Sequence, residues 1–173
     1  MTEAPTLGIF RLNPEVQIPE LATDGSACFD IRAYLVDGDV ITGYNRNNVK
    51  FSTTVINGRI AIKAGDRLMI PTGLVFDIPE GYSVRFHPRS GAALKQGFVL
   101  ANMEGVVDSD YVEQSMILLW NTTDEYQNVS NGERVCQAEL VKNQPTRIVE
   151  IDTKPEQKTT RVGGFGSTGN GVA

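Results

Sequence analysis

At 173 residues, with 16 basic against 21 acidic side chains and a formal net charge of −5, the chain is long enough to bury roughly 70% of the surface its unfolded form would expose, without a disulfide or metal staple. Its acidity excludes a protein that scans duplex nucleic acid, which needs a basic face, although local arginines and backbone amides still suffice to hold an anion in a cleft. One histidine, His87, and two cysteines, Cys28 and Cys136, far apart and out of ligand spacing, exclude histidine–cysteine zinc sites and leave any general base to a carboxylate.

Apolar runs along the chain are short and punctuated by Asp-Gly, Asn-Gly, Ala-Gly-Asp, Pro-Glu-Gly and Asn-Gly-Glu turns. The segments 29–35, 50–56, 59–63, 67–70, 73–78, 82–87, 98–102, 114–121, 134–141 and 147–151 each read as a strand. A short connecting helix is predicted over 90–95, with Ser90 as its cap and Gly97 as its stop. Strands of this length at regular spacing predict an all-β antiparallel sandwich, barrel or jelly roll. One domain is expected over 1–151. Within it, 37–65, rich in glycine and asparagine, reads as an inserted hairpin or arm with two weak strands, either a partner-binding element or a solvated loop. Residues 152–173 read as a flexible C-terminal arm. The N-terminus lacks a charged start followed by an apolar run, and no window approaches the ~20 apolar residues of a membrane span, so a soluble, cytoplasmic protein is expected.

Three segments carry candidate chemistry. Pro88-Arg89-Ser90-Gly91 groups a guanidinium, a hydroxyl and a glycine, a candidate phosphate grip. Arg161-Val162-Gly163-Gly164-Phe165-Gly166-Ser167-Thr168-Gly169 reads as a lid, with amides and hydroxyls for an anion and one ring to cover a flat base, or as a solvated terminus. Between them, 98–101 and 116–120 flank Glu104-Gly105-Val106-Val107-Asp108-Ser109-Asp110-Tyr111. This predicts a hairpin whose tip presents Asp108 and Asp110 on one face, where one of them activates water, or a turn held by its own aspartates. His87 reads as a strand-end residue, and both cysteines as reduced core thiols.

Five segments in chain order resemble the five motifs of the trimeric deoxyuridine triphosphate nucleotidohydrolases (dUTPases): Ser26-Ala27-Cys28-Phe29-Asp30-Ile31-Arg32-Ala33, Pro88-Arg89-Ser90-Gly91, Gly105-Val106-Val107-Asp108-Ser109-Asp110-Tyr111, Gly132-Glu133-Arg134-Val135-Cys136-Gln137 and Gly163-Gly164-Phe165-Gly166-Ser167-Thr168-Gly169. The resemblance implies a jelly roll, a homotrimer with active sites between subunits, and Mg2+-dependent hydrolysis of dUTP to dUMP and pyrophosphate. In that reading Asp108 orients the attacking water, and Tyr111 packs under the deoxyribose and excludes a 2′ hydroxyl. Asn102, the backbone around Val106 and Val107, and that of Met116 line a slot for the uracil edge. Arg89, Ser90, Gly91 and Gln137 hold the phosphate chain. Asp30 reaches the metal through water, as suits an ion that keeps its waters and leans on substrate phosphates. Phe165 covers the base, while Gly166, Ser167 and Thr168 close on the outer phosphates.

The chain departs from the family pattern at several positions. Cys28 and Glu113 stand where glycine is usual, Ala92 and Ala93 follow the phosphate grip, and the lid arginine falls one residue late, at Arg161. Deamination of dCTP in a relative of the same fold, or a non-catalytic binding trimer, are the other classes this resemblance leaves open.

Overall fold

The computed structural model describes residues 4–160. Its elements are β1 (Gly8–Arg11), β2 (Phe29–Arg32), β3 (Val40–Tyr44), β4 (Lys50–Thr54), β5 (Arg59–Ile62), β6 (Arg67–Pro71), β7 (Leu74–Asp77), β8 (Tyr82–His87), α1 (Ser90–Gln96), β9 (Phe98–Leu100), β10 (Gly105–Asp108), β11 (Met116–Asn121), β12 (Gln127–Ser130) and β13 (Arg134–Lys142). Two antiparallel sheets dominate, one in the order β10-β8-β13-β2 and the other β4-β3-β6-β11-β9, with two-stranded ribbons β1-β7 and β12-β5 beside them. The all-β expectation is met.

Period-two patterning explains how the two sheets close on each other. In β8, Val84 and Phe86 are buried while Arg85 and His87 stay half-exposed; in β11, Ile117 and Leu119 are buried between the exposed Leu118 and its neighbours. The inward residues of both sheets form one core, with Ile31, Val84, Phe86 and Ala138 from one and Leu68, Ile70, Leu100, Ile117 and Leu119 from the other. Phe76 of the β1-β7 ribbon tilts against Phe86 at a ring separation of 6.1 Å.

Several local expectations are corrected. Residues 37–65 do contain a hairpin, but it pairs β4 with an unexpected strand, β3, rather than with β5, and the segment does not stand off as an arm. β3 pairs with β6 through Gly43↔Leu68 and Tyr44↔Arg67, and β5 pairs with β12. Ile41, Val55, Ile60 and Ile62 are all buried, so the segment is part of the sandwich. The approach at Gly43 admits no side chain, since a Cβ there would fall 2.6 Å from the Arg67 carbonyl oxygen. Residues 147–151, rich in β-branched side chains, form no strand. The chain leaves the sandwich after Asn143, which donates its N–H to Gly81 and accepts the Ser83 hydroxyl, and 144–160 are exposed throughout.

Helix α1 forms where expected and ends at Gly97, whose φ of 67° is the left-handed conformation that favours glycine. Its N-cap is Arg89, with no side-chain capping bond, so Ser90 belongs to the first turn rather than capping it. β1, β3, β10 and β12 were not anticipated.

The predicted hairpin over 98–121 is half right. β9 and β11 pair through Leu119↔Leu100, but the chain between them crosses to the other sheet and adds β10 to the edge of β8. Asp108 therefore ends a strand of the opposite sheet. Beyond it the backbone turns, with Tyr111 N–H donating to the Asp108 carbonyl at 3.1 Å, so Asp108 and Asp110 do not share an extended face.

Candidate active site

The outward face of the β10-β8-β13-β2 sheet carries Asp30, Val106, Asp108 and Gln137. At one corner, Asp30 of β2 lies opposite Gln137 of β13, and Gln137 lies opposite His87 of β8. Gln137 donates from Nε2 to the Pro88 carbonyl at 3.0 Å, fixing the turn that presents Arg89. The Arg89 guanidinium meets Asp30 with Nε–Oδ1 at 2.6 Å, and Arg134 meets the other carboxylate oxygen at 3.0 Å. Asp30, Arg89 and Gln137 thus form one cluster, with Ser90 and Gly91 exposed at the start of α1 beside it. A Cβ at Gly91 would meet nothing within 4 Å, so packing within this chain does not require glycine there; a closely approaching ligand would.

At the other corner, Asp108 lies opposite Ser83, the far end of β8 from His87. Tyr111 follows in the turn, its hydroxyl donating to the Gln114 carbonyl at 3.2 Å. From Ser83 to His87 is about 14 Å of strand rise, and three strand spacings from β10 to β2 add about 14 Å crosswise. Asp108 and Asp30 are therefore roughly 20 Å apart within one chain. The structure does not bring the carboxylate of the third motif to the phosphate grip.

The slot residues are also dispersed. Asn102 is exposed in the turn before β10 and lines a groove of about 520 Å³ with Tyr44, Met69 and Leu118. Val106 faces outward beside Arg85, Val107 is buried in the core, and Met116 opens β11 opposite Pro71. Gly105 is needed where it stands, because a Cβ would lie 2.9 Å from the Phe86 ring. Arg161, Phe165, Gly166, Ser167 and Thr168 lie outside the described residues.

Sequence reasoning missed the polar network between the two corners. His87 Nε2 lies 3.0 Å from Glu139 Oε1, and Arg85 pairs with Glu104 at 3.4 Å. Alternation could have found it, since 85, 87, 137 and 139 fall on one face once 84, 86 and 138 are assigned to the core. Neither cysteine competes as a nucleophile. Burial foremost, then the charges of Glu139 and Asp30, raise the Cys28 thiol, and burial foremost raises Cys136 far above the ordinary range.

A cavity of about 660 Å³, lined by Arg46, Arg67, Trp120 and Thr122 among others, holds none of the candidate residues. One of about 620 Å³ does border the cluster, lined by Asp30, Arg134, Arg32 and Arg11. Among the described residues no group of three or more His, Cys, Asp and Glu is arranged to hold a metal, and none of the helices is long and apolar enough to cross a membrane. The single Asp30 carboxylate fits an ion approached through water better than one ligated directly.

Comparison with known proteins identifies the family. A family model described as dUTPase matches residues 56–169. The deoxyuridine 5′-triphosphate nucleotidohydrolase of Rhizobium rhizogenes is 34% identical over 167 residues, covering 95% of this chain and 94% of its own; that of Caulobacter vibrioides is 35% identical over 157 residues, covering 91% and 88%. In fold, the chain resembles a Staphylococcus bacteriophage 80alpha dUTPase (TM-score 0.73, 18% identity, 95% and 98% coverage) and a Streptococcus mutans dUTPase (TM-score 0.63, 22% identity, 82% and 98% coverage). Fold and relatives together define an all-β nucleotide hydrolase. The chain belongs to the dUTPase family.

Proposed function

We propose that this chain hydrolyses dUTP to dUMP and pyrophosphate in a homotrimer whose active sites join two corners from different subunits. The observation that carries the assembly is the separation of Asp108 and Tyr111 from Asp30, Arg89 and Gln137 on one sheet face: no single chain completes the set, whereas a cyclic neighbour can lay one corner against the other.

In that site Asp108, at an exposed strand end, aims a water oxygen at the α-phosphorus and accepts its proton as the bond to the departing pyrophosphate breaks. Arg89 with Ser90 and Gly91 takes the phosphate chain, and Gln137 holds the Pro88 carbonyl so that the grip keeps its position. A bound magnesium ion would supply neutralisation of phosphate charge, with Asp30 the residue that reaches its waters. Tyr111 lies under the sugar and excludes a 2′ hydroxyl by contact. Asn102, the backbone at Val106 and Val107, and that of Met116 read the uracil edge; a slot built for hydrogen bonding rejects a wrong base by leaving buried groups unpaired, worth ~10⁴-fold or more. Arg161, Phe165, Gly166, Ser167 and Thr168 close the site, carried there by the exposed 144–160 segment.

The test is a nucleotide panel with product identification. Magnesium-dependent release of pyrophosphate from dUTP, far faster than from dCTP, dTTP or UTP, is the expected result. Ammonia release from dCTP, or no turnover at all, would overturn it.

A further inference from the structure

The Asp30 carboxylate has a guanidinium on each oxygen. Arg89 Nε lies 2.6 Å from Oδ1 and Arg134 Nη1 3.0 Å from Oδ2, while Arg89 also donates from Nη1 to the Arg134 carbonyl at 3.3 Å. The side chains of Arg89 and Asp30 are 26% and 30% exposed, and that of Arg134 50%, so the first pair is the better shielded and the better held. The residue assigned to the phosphates is thus already neutralised, and the residue assigned to metal-bound water already faces two cations.

These assignments draw on the same charged pair. A phosphate chain and Asp30 both draw on the one Arg89 guanidinium, which Asp30 orients through Nε, and a hydrated cation and Arg89 both draw on Oδ1. We propose that Asp30 parks Arg89 in the free protein and that a metal–triphosphate displaces the contact as a unit, phosphate oxygens taking Arg89 while metal-bound water takes the vacated carboxylate oxygen. Arg134, on the other oxygen, is a positioning residue that keeps Asp30 in place through the exchange. The cavity of about 620 Å³ beside Asp30 and Arg134 gives the released groups open space rather than packed core.

The consequence is a specificity. A bare anion must pull Arg89 from Asp30 and leave that carboxylate short of a partner, whereas an anion carrying a divalent cation replaces both partners at once. Asp30 therefore selects the metal complex over the free nucleotide. This rests on the reading of Arg89 as a phosphate ligand.

The experiment is calorimetric binding to the full chain of two probes: inorganic pyrophosphate in chelator, and a non-hydrolysable dUTP analogue with magnesium. Asp30→Asn should bind metal-free pyrophosphate about three- to fivefold more tightly, the range of a partly exposed ion pair, and the magnesium analogue more weakly. Metal-free affinity that is unchanged or lower overturns the proposal. Arg134→Gln should weaken the magnesium analogue but leave pyrophosphate binding in the Asp30→Asn background as it was; a loss in that background means that Arg134 touches the anion itself and is no positioning residue. Arg89→Ala should remove pyrophosphate binding altogether, and its survival there sinks the phosphate-grip reading rather than the exchange alone. Should Asp30→Asn fail to fold, the wild-type protein still decides: the Arg89 Nε–H resonance must move when the magnesium analogue is added, and a resonance that stays at its ligand-free position overturns the exchange.

Discussion

Asp108 and Asp30 occupy opposite corners of one sheet face, joined through Ser83 and His87 at the two ends of β8. If an active site draws one corner from each of two neighbours, Asp108→Asn and Arg89→Ala should complement each other. Each homotrimer alone should be inactive. Unfolded together and reassembled at equal ratio, the mixture should recover about a quarter of wild-type activity, because in a cyclic trimer one site in four on average joins two intact corners. Placing both substitutions in one chain and mixing it with wild type should give no gain beyond the wild-type share. Absence of recovery in the first mixture means that the site is built within one chain.

The third-motif residues should separate cleanly in kinetics. Asp108→Asn keeps the shape of the strand end but cannot take a proton, so kcat should fall about 10²–10⁴-fold with analogue affinity little changed. Tyr111→Ala should narrow the preference for dUTP over UTP, whereas Tyr111→Phe, which loses only the hydrogen bond to the Gln114 carbonyl, should preserve it. Equal UTP rejection by all three proteins would remove Tyr111 from sugar selection.

What the sequence revealed tracks the strength of local signals. Val84 and Phe86 alternating with Arg85 and His87 mark β8 without ambiguity, and Gly97 marks the end of α1. The segment 37–65 was opaque because Gly43 and the asparagines around it look like loop chemistry, while their role is close approach to β6 and tight turning at Asn48 and Asn57, whose φ angles are 61° and 52°. Residues 147–151 misled in the opposite direction: β-branched Ile148, Val149 and Ile151 suggest a strand, but Ile148 is 93% exposed, and a strand without a sheet edge to join leaves its backbone to water. The third motif was recognisable as chemistry before its placement was, since crossing between sheets is a tertiary choice that no short window encodes.

Asn121 is a structural residue that motif reading passed over. It is fully buried, donating from Nδ2 to the Ile62 and Glu125 carbonyls at 2.9 and 2.7 Å and accepting from Thr123 N–H and its hydroxyl. One amide thereby ties β11 to β5 and to the loop before β12. Asn121→Ala would leave those groups buried without partners, and a loss of about 2–4 kcal/mol is expected in urea unfolding. A loss below about 0.5 kcal/mol would show that water replaces the amide at no cost.

Cys136 makes stability fall at alkaline pH. Its thiol is fully buried and its pKa is raised, foremost by burial and then by Asp30, so above the ordinary value of 9.0 the unfolded chain loses a proton that the folded chain retains. The unfolded state then binds fewer protons, and the unfolding free energy declines as pH rises, by up to about 1.4 kcal/mol per pH unit from this group. Below the unfolded value both states are protonated and the group contributes no slope. Urea unfolding between pH 8 and 10.5 should show this decline in the wild type and a shallower one in Cys136→Ala, which removes the titrating group at the cost of a small cavity. Parallel slopes in the two proteins would assign the alkaline loss to other groups.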